Sequence, residues 1–100
     1  MLTDNEMLGI ANKYINDIVQ EINIELIVLD KYIKKNYGNI YSYVAKNSTK
    51  YHLAGNGPFL VKNDVGTVIQ FGTSDDIEYY IKGYEDGTWE PSSNGVWDPN

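Results

Sequence analysis

The most constraining feature of this sequence is a stretch in its second half where turn residues alternate with short apolar runs. Gly-Asn-Gly-Pro at residues 55–58 precedes a mainly apolar segment at 59–62, and a turn at 63–66 separates it from a second such segment at 67–71. Pro58 can open a strand, because its missing amide costs nothing at that position. The stretch therefore predicts a β-hairpin, in which two antiparallel strands are joined by a tight turn.

A helix is predicted directly behind this hairpin. Thr73 or Ser74 can cap its first turn, which also carries several acids where the helix dipole favours negative charge. We expect the helix to end near Glu85, before Gly87. The residues of its apolar stripe are Ile77, Tyr80, Ile81 and Tyr84.

The chain begins with a second helical pattern. Thr3 and Glu6 have the spacing of a capping box, in which each side chain bonds the backbone amide of the other residue. Apolar residues then recur at helical spacing, which predicts an amphipathic helix from about Asp4 to Gln20. The members of this stripe are Met7, Ala11, Tyr14, Ile15, Ile18 and Ile22.

Between this helix and the central stretch, the sequence predicts another hairpin. Residues 25–33 are rich in β-branched and aliphatic side chains, residues 34–38 form a polar turn with a glycine, and residues 39–45 make the second strand. Side chains alternate between the two faces of a strand, so Tyr41 and Tyr43 are expected to share one face.

These elements predict an α+β fold: an N-terminal helix, a four-stranded antiparallel sheet made of two hairpins, and a C-terminal helix, with both helices packed on one face of the sheet. One domain is expected over residues 1–86. Residues 87–100 form a polar tail that contains Trp89 and Trp97. We expect at least Trp89 to dock on the domain, because tryptophan is usually mostly buried; the alternative is that the indoles are exposed anchors for a partner.

Composition narrows the classes of function. The formal charge of -6 disfavours nucleic-acid binding and would speed the encounter with a basic protein, although the same charge also serves solubility alone. No apolar run approaches the roughly 20 residues of a membrane span. The chain has no cysteine and no secretory signal near its start, so we expect a cytoplasmic protein.

The residues that could carry catalysis are few, and we expect no enzyme, no cofactor and no metal site. His52 is the sole histidine, and the sequence around it lacks a nucleophile motif. Asp75 and Asp76 are better explained as helix-capping acids than as a catalytic pair. The turn at 55–58 lacks the lysine of a phosphate-binding loop, so its role is backbone geometry, or the presentation of Asn56 to a partner.

Tyrosine is abundant, with nine residues, and several of them are expected to reach the surface. Exposed tyrosines supply large, stiff contact area and suit a protein-binding face. We therefore predict a partner-binding surface on the exposed face of the sheet and on the loop at residues 50–57. Its candidate residues are Tyr41, Tyr43, Tyr51, His52 and Asn56.

Residues 53–85 resemble the immunity protein 35 family, which includes the small YrhB-like proteins. The resemblance is carried by a Gly-Asn-Gly-Pro turn before an apolar strand, a turn of the Asp-x-x-Gly type that is one residue shorter here, a strand that ends in Gly-Thr, and a helix with spaced tyrosines. The family usually has a tryptophan in its second strand, where this chain has Asn-Ile-Tyr. The matching residues are Gly55, Asn56, Gly57, Pro58, Asp64, Gly66, Gly72, Thr73, Glu78, Tyr80, Tyr84 and Glu85.

The resemblance implies a bacterial cytoplasmic antidote that binds a cognate polymorphic toxin and blocks it without chemistry of its own. Toxins paired with this family often look like papain-like peptidases. Two alternatives remain open at this stage: a chaperone-like holdase that binds unfolded clients, and a minimal hydrolase that uses His52.

Overall fold

Helix α1 spans Asp4–Ile22 in the computed structural model, which describes residues 1–46 and 57–99. The predicted capping box is confirmed: Thr3 Oγ1 accepts a hydrogen bond from the amide of Glu6 at 3.1 Å, and Glu6 Oε1 accepts one from the amide of Thr3 at 3.0 Å. The predicted stripe faces the core over most of the helix. Its buried members are Met7, Ala11, Tyr14 and Ile15.

The first predicted hairpin is present but is divided into two ladders. Its strands are β1 (Leu26–Val28), β2 (Ile33–Lys35), β3 (Gly38–Tyr41) and β4 (Tyr43–Ala45). β2 pairs with β3, and β1 pairs with β4, both antiparallel. Residues 29–32 separate β1 from β2, whereas Ser42 alone separates β3 from β4. Because the two arms differ in length, one continuous ladder cannot form.

The second hairpin joins the larger of the two sheets. Its strands are β5 (Phe59–Lys62) and β6 (Val68–Gln70), and a short strand from the tail, β7 (Val96–Trp97), pairs with β6. The order in this five-stranded sheet is β2-β3-β5-β6-β7, and β1 and β4 form a separate two-stranded sheet. The prediction of one four-stranded sheet is therefore wrong. The α+β class and the antiparallel pairing are confirmed.

Helix α2 spans Ile77–Asp86 and ends where the sequence predicts, at the left-handed Gly87. Its N-cap is Asp76, whose carboxylate accepts from the amide of Tyr79 at 3.0 Å, so the prediction of Thr73 or Ser74 as the cap is wrong. An N-cap must bond an amide two or three residues ahead.

Within the described residues, no helix is both long and apolar enough to cross a bilayer.

The two helices lie on opposite faces of the sheets, which corrects the prediction that they share one face. One core cluster joins α1 to side chains such as Phe59 and Val61, and the other joins α2 to Ile40 and Leu60. Neighbouring residues of a strand point to opposite faces, so a run that is apolar at every position fills two cores. Residues 59–61 of β5 form such a run.

The tail contacts the domain through both of its tryptophans. Trp97 lies opposite Val68 in the sheet, and its indole N–H donates to Asp17 of α1 at 3.1 Å. The ring of Trp89 packs on the other face, edge-on to Phe71 with ring centroids 5.4 Å apart. The two indoles therefore contribute to the two cores on either side of the sheet.

Candidate partner-binding surface

Two of the predicted partner-binding residues are core residues. Tyr41 is 1% exposed and Tyr43 is 8% exposed, and both belong to the cluster beneath α1. Tyr41 also packs against Phe59, with ring centroids 5.9 Å apart. The prediction that these tyrosines lie on an exposed face is wrong, because α1 covers that face of the hairpin.

The remaining predicted residues cannot be placed in the fold. Tyr51, His52 and Asn56 lie outside the described residues, as does all of the predicted loop at 50–57 except Gly57. The proposed contribution of this loop to partner binding stays a prediction. The same holds for the alternative in which His52 acts in catalysis.

The opposite face of the first hairpin carries an exposed apolar surface. Ile27 lies directly opposite Val44, and the amide of Leu29 donates to the carbonyl oxygen of Ser42 at 2.8 Å. Ile33 lies opposite Ile40 on the adjoining strands, so all of these side chains point to one side. We call this surface the outer hairpin face. It comprises Ile27, Leu29, Ile33, Ser42 and Val44.

The side chains of the outer hairpin face are far more exposed than the neighbouring side chain that α2 covers. Ile40, which α2 covers, is 2% exposed, whereas Ile27, Leu29 and Ile33 are 46%, 38% and 39% exposed. Helix α2 has 10 residues and is about 15 Å long. Because α2 spans only part of this side of the molecule, it does not cover Ile27, Leu29 and Ile33, which remain exposed to solvent.

Charged groups border the face where α2 meets the hairpin. Lys35 Nζ lies 3.4 Å from Glu85, and the hydroxyl of Tyr37 donates to Glu85 Oε2 at 2.6 Å. The bond from Tyr37, with a smaller contribution from Lys35, lowers the pKa of Glu85; burial, with the carboxylate, raises the pKa of Tyr37. Glu78 and Lys82 lie on the same flank of the helix, seven and three residues before Glu85. An apolar centre with a charged border is the usual composition of a protein interface.

The sequence interpretation did not single out Ile27 and Leu29, because an uninterrupted apolar run such as residues 26–29 is typical of a buried strand. A signal for their exposure does exist. The second predicted helix is short, and a helix of about ten residues cannot cover a hairpin whose arms extend over residues 25–45. A comparison of helix length with strand length would have placed part of the run outside the core.

A concave region lies between α1 and the tail, away from the outer hairpin face, with a volume of about 490 Å³. Its walls carry two carboxylates, Asp17 and Glu21, and the aromatic rings of Tyr14 and Trp97. Burial, with smaller contributions from Tyr43 and Glu21, raises the pKa of Tyr14 from 10.0 to about 12, so this hydroxyl remains a donor above the pH at which a free tyrosine ionises. Among the described residues, no three side chains form a group that could hold a metal ion.

Comparisons of the chain with protein-family models, with curated proteins and with solved structures give no match.

Proposed function

We propose that this protein is a non-catalytic immunity protein that binds a cognate bacterial toxin and blocks it by occupying its surface. The proposal starts from the resemblance of residues 53–85 to the immunity protein 35 family. A papain-like peptidase toxin is the first candidate partner, because toxins paired with that family often look like such enzymes.

The observation that carries the proposal is the outer hairpin face. Its three large aliphatic side chains are each more than a third exposed, although Ile27 and Ile33 stand on paired strands and the amide of Leu29 bonds Ser42 directly after β1. Full burial of an isoleucine or leucine side chain contributes about 1.5–3 kcal/mol. Side chains held in place by a sheet lose little conformational entropy when a partner covers them, so such a face supports tight binding.

Charge supports the same proposal. A chain with a formal charge of -6 attracts a basic partner over distances of about a Debye length and raises the rate of encounter. Fast capture matters for an antidote, because the toxin must be bound before it acts. We therefore expect a basic toxin and an association rate that falls as salt is added.

The described residues of the resemblance have structural roles in this fold. The side-chain amide of Gln70 donates to the carbonyl oxygens of Gly57 and Pro58, at 2.9 Å and 3.2 Å, and so fixes the start of β5. The hydroxyl of Tyr80 bonds Ser74 at 2.9 Å. These contacts favour the interpretation in which the motif builds the scaffold and other residues contact the toxin.

The test is a direct binding and inhibition assay with the protein encoded beside this gene. We expect a one-to-one complex of the two purified proteins and loss of the neighbour's toxic activity on titration. A neighbour without toxic activity, or a toxin that this protein neither binds nor inhibits, would overturn the proposal.

A holdase is the second candidate, because an exposed apolar face also suits an unfolded client. The two functions differ in stoichiometry and selectivity. A holdase suppresses the aggregation of unrelated heat-denatured proteins, whereas an antidote leaves their aggregation unchanged and binds one partner.

A further inference from the structure

Strand β1 has a backbone edge that faces away from β4. The amide of Leu29 donates to Ser42, and the amide of Lys46 donates to the carbonyl oxygen of Glu25 at 2.9 Å. In an antiparallel ladder every second residue bonds the partner strand, so the peptide groups of Leu26 and Val28 point outwards. In the part of the chain that the structure describes, no backbone group pairs with them.

The edge of β1 is short, at three residues, but it carries none of the side chains that usually protect a strand edge. Charged residues, prolines or bulges normally prevent an open edge from pairing with another chain. β2 follows that rule with Lys34 and Lys35, which pair with Asp4 and Glu85. β1 consists of leucine, isoleucine and valine alone.

We propose that β1 pairs with β1 of a second copy of this chain, antiparallel, about a two-fold axis at Val28. The outward N–H and C=O of Val28 then bond the same groups of Val28 in the second copy. Ile27 of each copy lies opposite Leu29 of the other. Both side chains belong to the outer hairpin face, so the two faces join into one continuous apolar surface.

Charge selects this register. If the pairing continues past the ends of β1 and the bend at Asp30, an axis at Val28 brings Lys31 of each copy opposite Glu25 of the other, where it joins the ion pair that Glu25 makes with Lys46 at 3.4 Å. With the axis shifted by one residue to Ile27, Glu25 lies opposite Leu29 and Lys31 lies opposite Asn23. The shifted register loses both ion pairs.

The seam is short, and each copy carries a formal charge of -6. Interfaces at the low end of the size range are weak and transient. The dimer therefore forms reversibly and depends on protein concentration. This inference concerns the chain alone and does not require the proposed toxin.

Analytical ultracentrifugation of the full chain over a wide concentration range tests the dimer. We expect a reversible equilibrium between one and two copies. Glu25→Lys and Lys31→Glu each replace two attractions by two repulsions, so each weakens the dimer about tenfold. Glu25→Lys also removes the ion pair with Lys46 inside its own chain, so Lys31→Glu is the cleaner variant. The double variant E25K/K31E restores the ion pairs and returns the dissociation constant to within about threefold of the native value.

Two further variants complete the design. Glu90→Lys makes the same charge change as Glu25→Lys, but on the tail, and it leaves the dimer unaffected or slightly tighter. Val28→Pro removes the outward N–H while the bonds of β1 to β4 remain, because proline is tolerated where a strand amide faces solvent. It weakens the dimer without changing the circular dichroism spectrum.

A chain that stays monomeric at every concentration overturns the inference. So does a dimer that survives both single charge variants, or one that the double variant does not restore. If Val28→Pro fails to fold, the charge variants alone decide. Because the toxin takes no part in this measurement, its outcome is independent of the binding assay.

Discussion

The hydroxyl of Tyr14 donates a hydrogen bond of 2.6 Å to Oε1 of Gln70 and so connects α1 to β6. The two N–H groups of Nε2 of Gln70 are shared in turn among the carbonyl oxygens of Gly57, Pro58 and Phe71, at 2.9, 3.2 and 3.0 Å. One glutamine side chain therefore joins the helix, the end of β6 and the start of β5. Because this network ties three elements together, it yields the first prediction.

Tyr14→Phe should lower the free energy of unfolding by about 1–2 kcal/mol, because it leaves Oε1 of Gln70 without its donor in a partly buried site. Urea denaturation followed by circular dichroism measures the change. Tyr79→Phe is the matched control, since Tyr79 is exposed, and it should change the stability by less than about 0.5 kcal/mol. Equal effects of the two variants would show that the hydrogen bond contributes nothing.

Stability should fall at alkaline pH. Burial raises the pKa of Tyr14 from 10.0 to about 12 in the folded protein. Because the folded state favours the protonated phenol, the stabilisation is complete below about pH 10 and is lost as the pH rises from about 10 to about 12. Burial also raises the pKa values of Tyr41 and Tyr43, which act in the same direction.

Urea midpoints measured from about pH 8 upwards, together with tyrosinate absorbance, check this prediction. The absorbance should show that part of the tyrosines titrate late. The Tyr14→Phe variant should lose stability less steeply than the native protein. A native protein whose tyrosines all titrate near their ordinary pKa would contradict the prediction.

Two glycine-to-alanine changes should have opposite signs. A Cβ at Gly83 would lie 2.6 Å from the Cβ of Trp89, so Gly83→Ala should displace the indole and destabilise the fold by about 1–3 kcal/mol. Gly9, also within a helix, has open space around it, and Gly9→Ala should stabilise by about 0.5–1 kcal/mol. Urea denaturation and tryptophan emission report both effects. If Gly83→Ala stabilised as Gly9→Ala does, Trp89 would not pack on α2.

Asp4 should matter more to stability than its exposed ion pair suggests. Its carboxylate accepts from Lys34 at 2.7 Å and from Nδ2 of the fully buried Asn39 at 3.1 Å. Asp4→Ala should therefore destabilise the protein more than Lys34→Met does, because a buried amide loses a partner only in the first variant. Thermal melts of the two variants in one buffer give the order, and the reverse order would contradict this account.

The sequence predicts the elements of this fold well and their arrangement poorly. The capping box at Thr3 and the glycine at Gly87 are local signals, and both helix ends that they predict agree with the structure. The pairing of Val96 and Trp97 with β6 depends on contacts with Val68 and Ile69 far away in the chain, so a two-residue strand in a polar tail gives no local pattern.

The candidate surface shows the same limit. Tyr41 and Tyr43 have the alternation of a strand that is exposed on one face, and nothing in that alternation says which face a helix covers. The apolar run 59–61 carried more information, because a strand that is apolar at every position requires cover on both sides. That requirement predicts one helix on each face. Because α2 then covers its face alone and has only ten residues, Ile27 remains exposed.

The central claim is that the outer hairpin face binds a toxin, and calorimetric titration of that toxin against three lysine variants tests it most directly. Ile27→Lys and Ile33→Lys place a charge on the face, and each should weaken binding by about tenfold or more. Val65→Lys makes the same kind of change at an exposed residue of the turn between β5 and β6 and should leave the affinity within about twofold. Folded face variants that bind as tightly as Val65→Lys would contradict the claim.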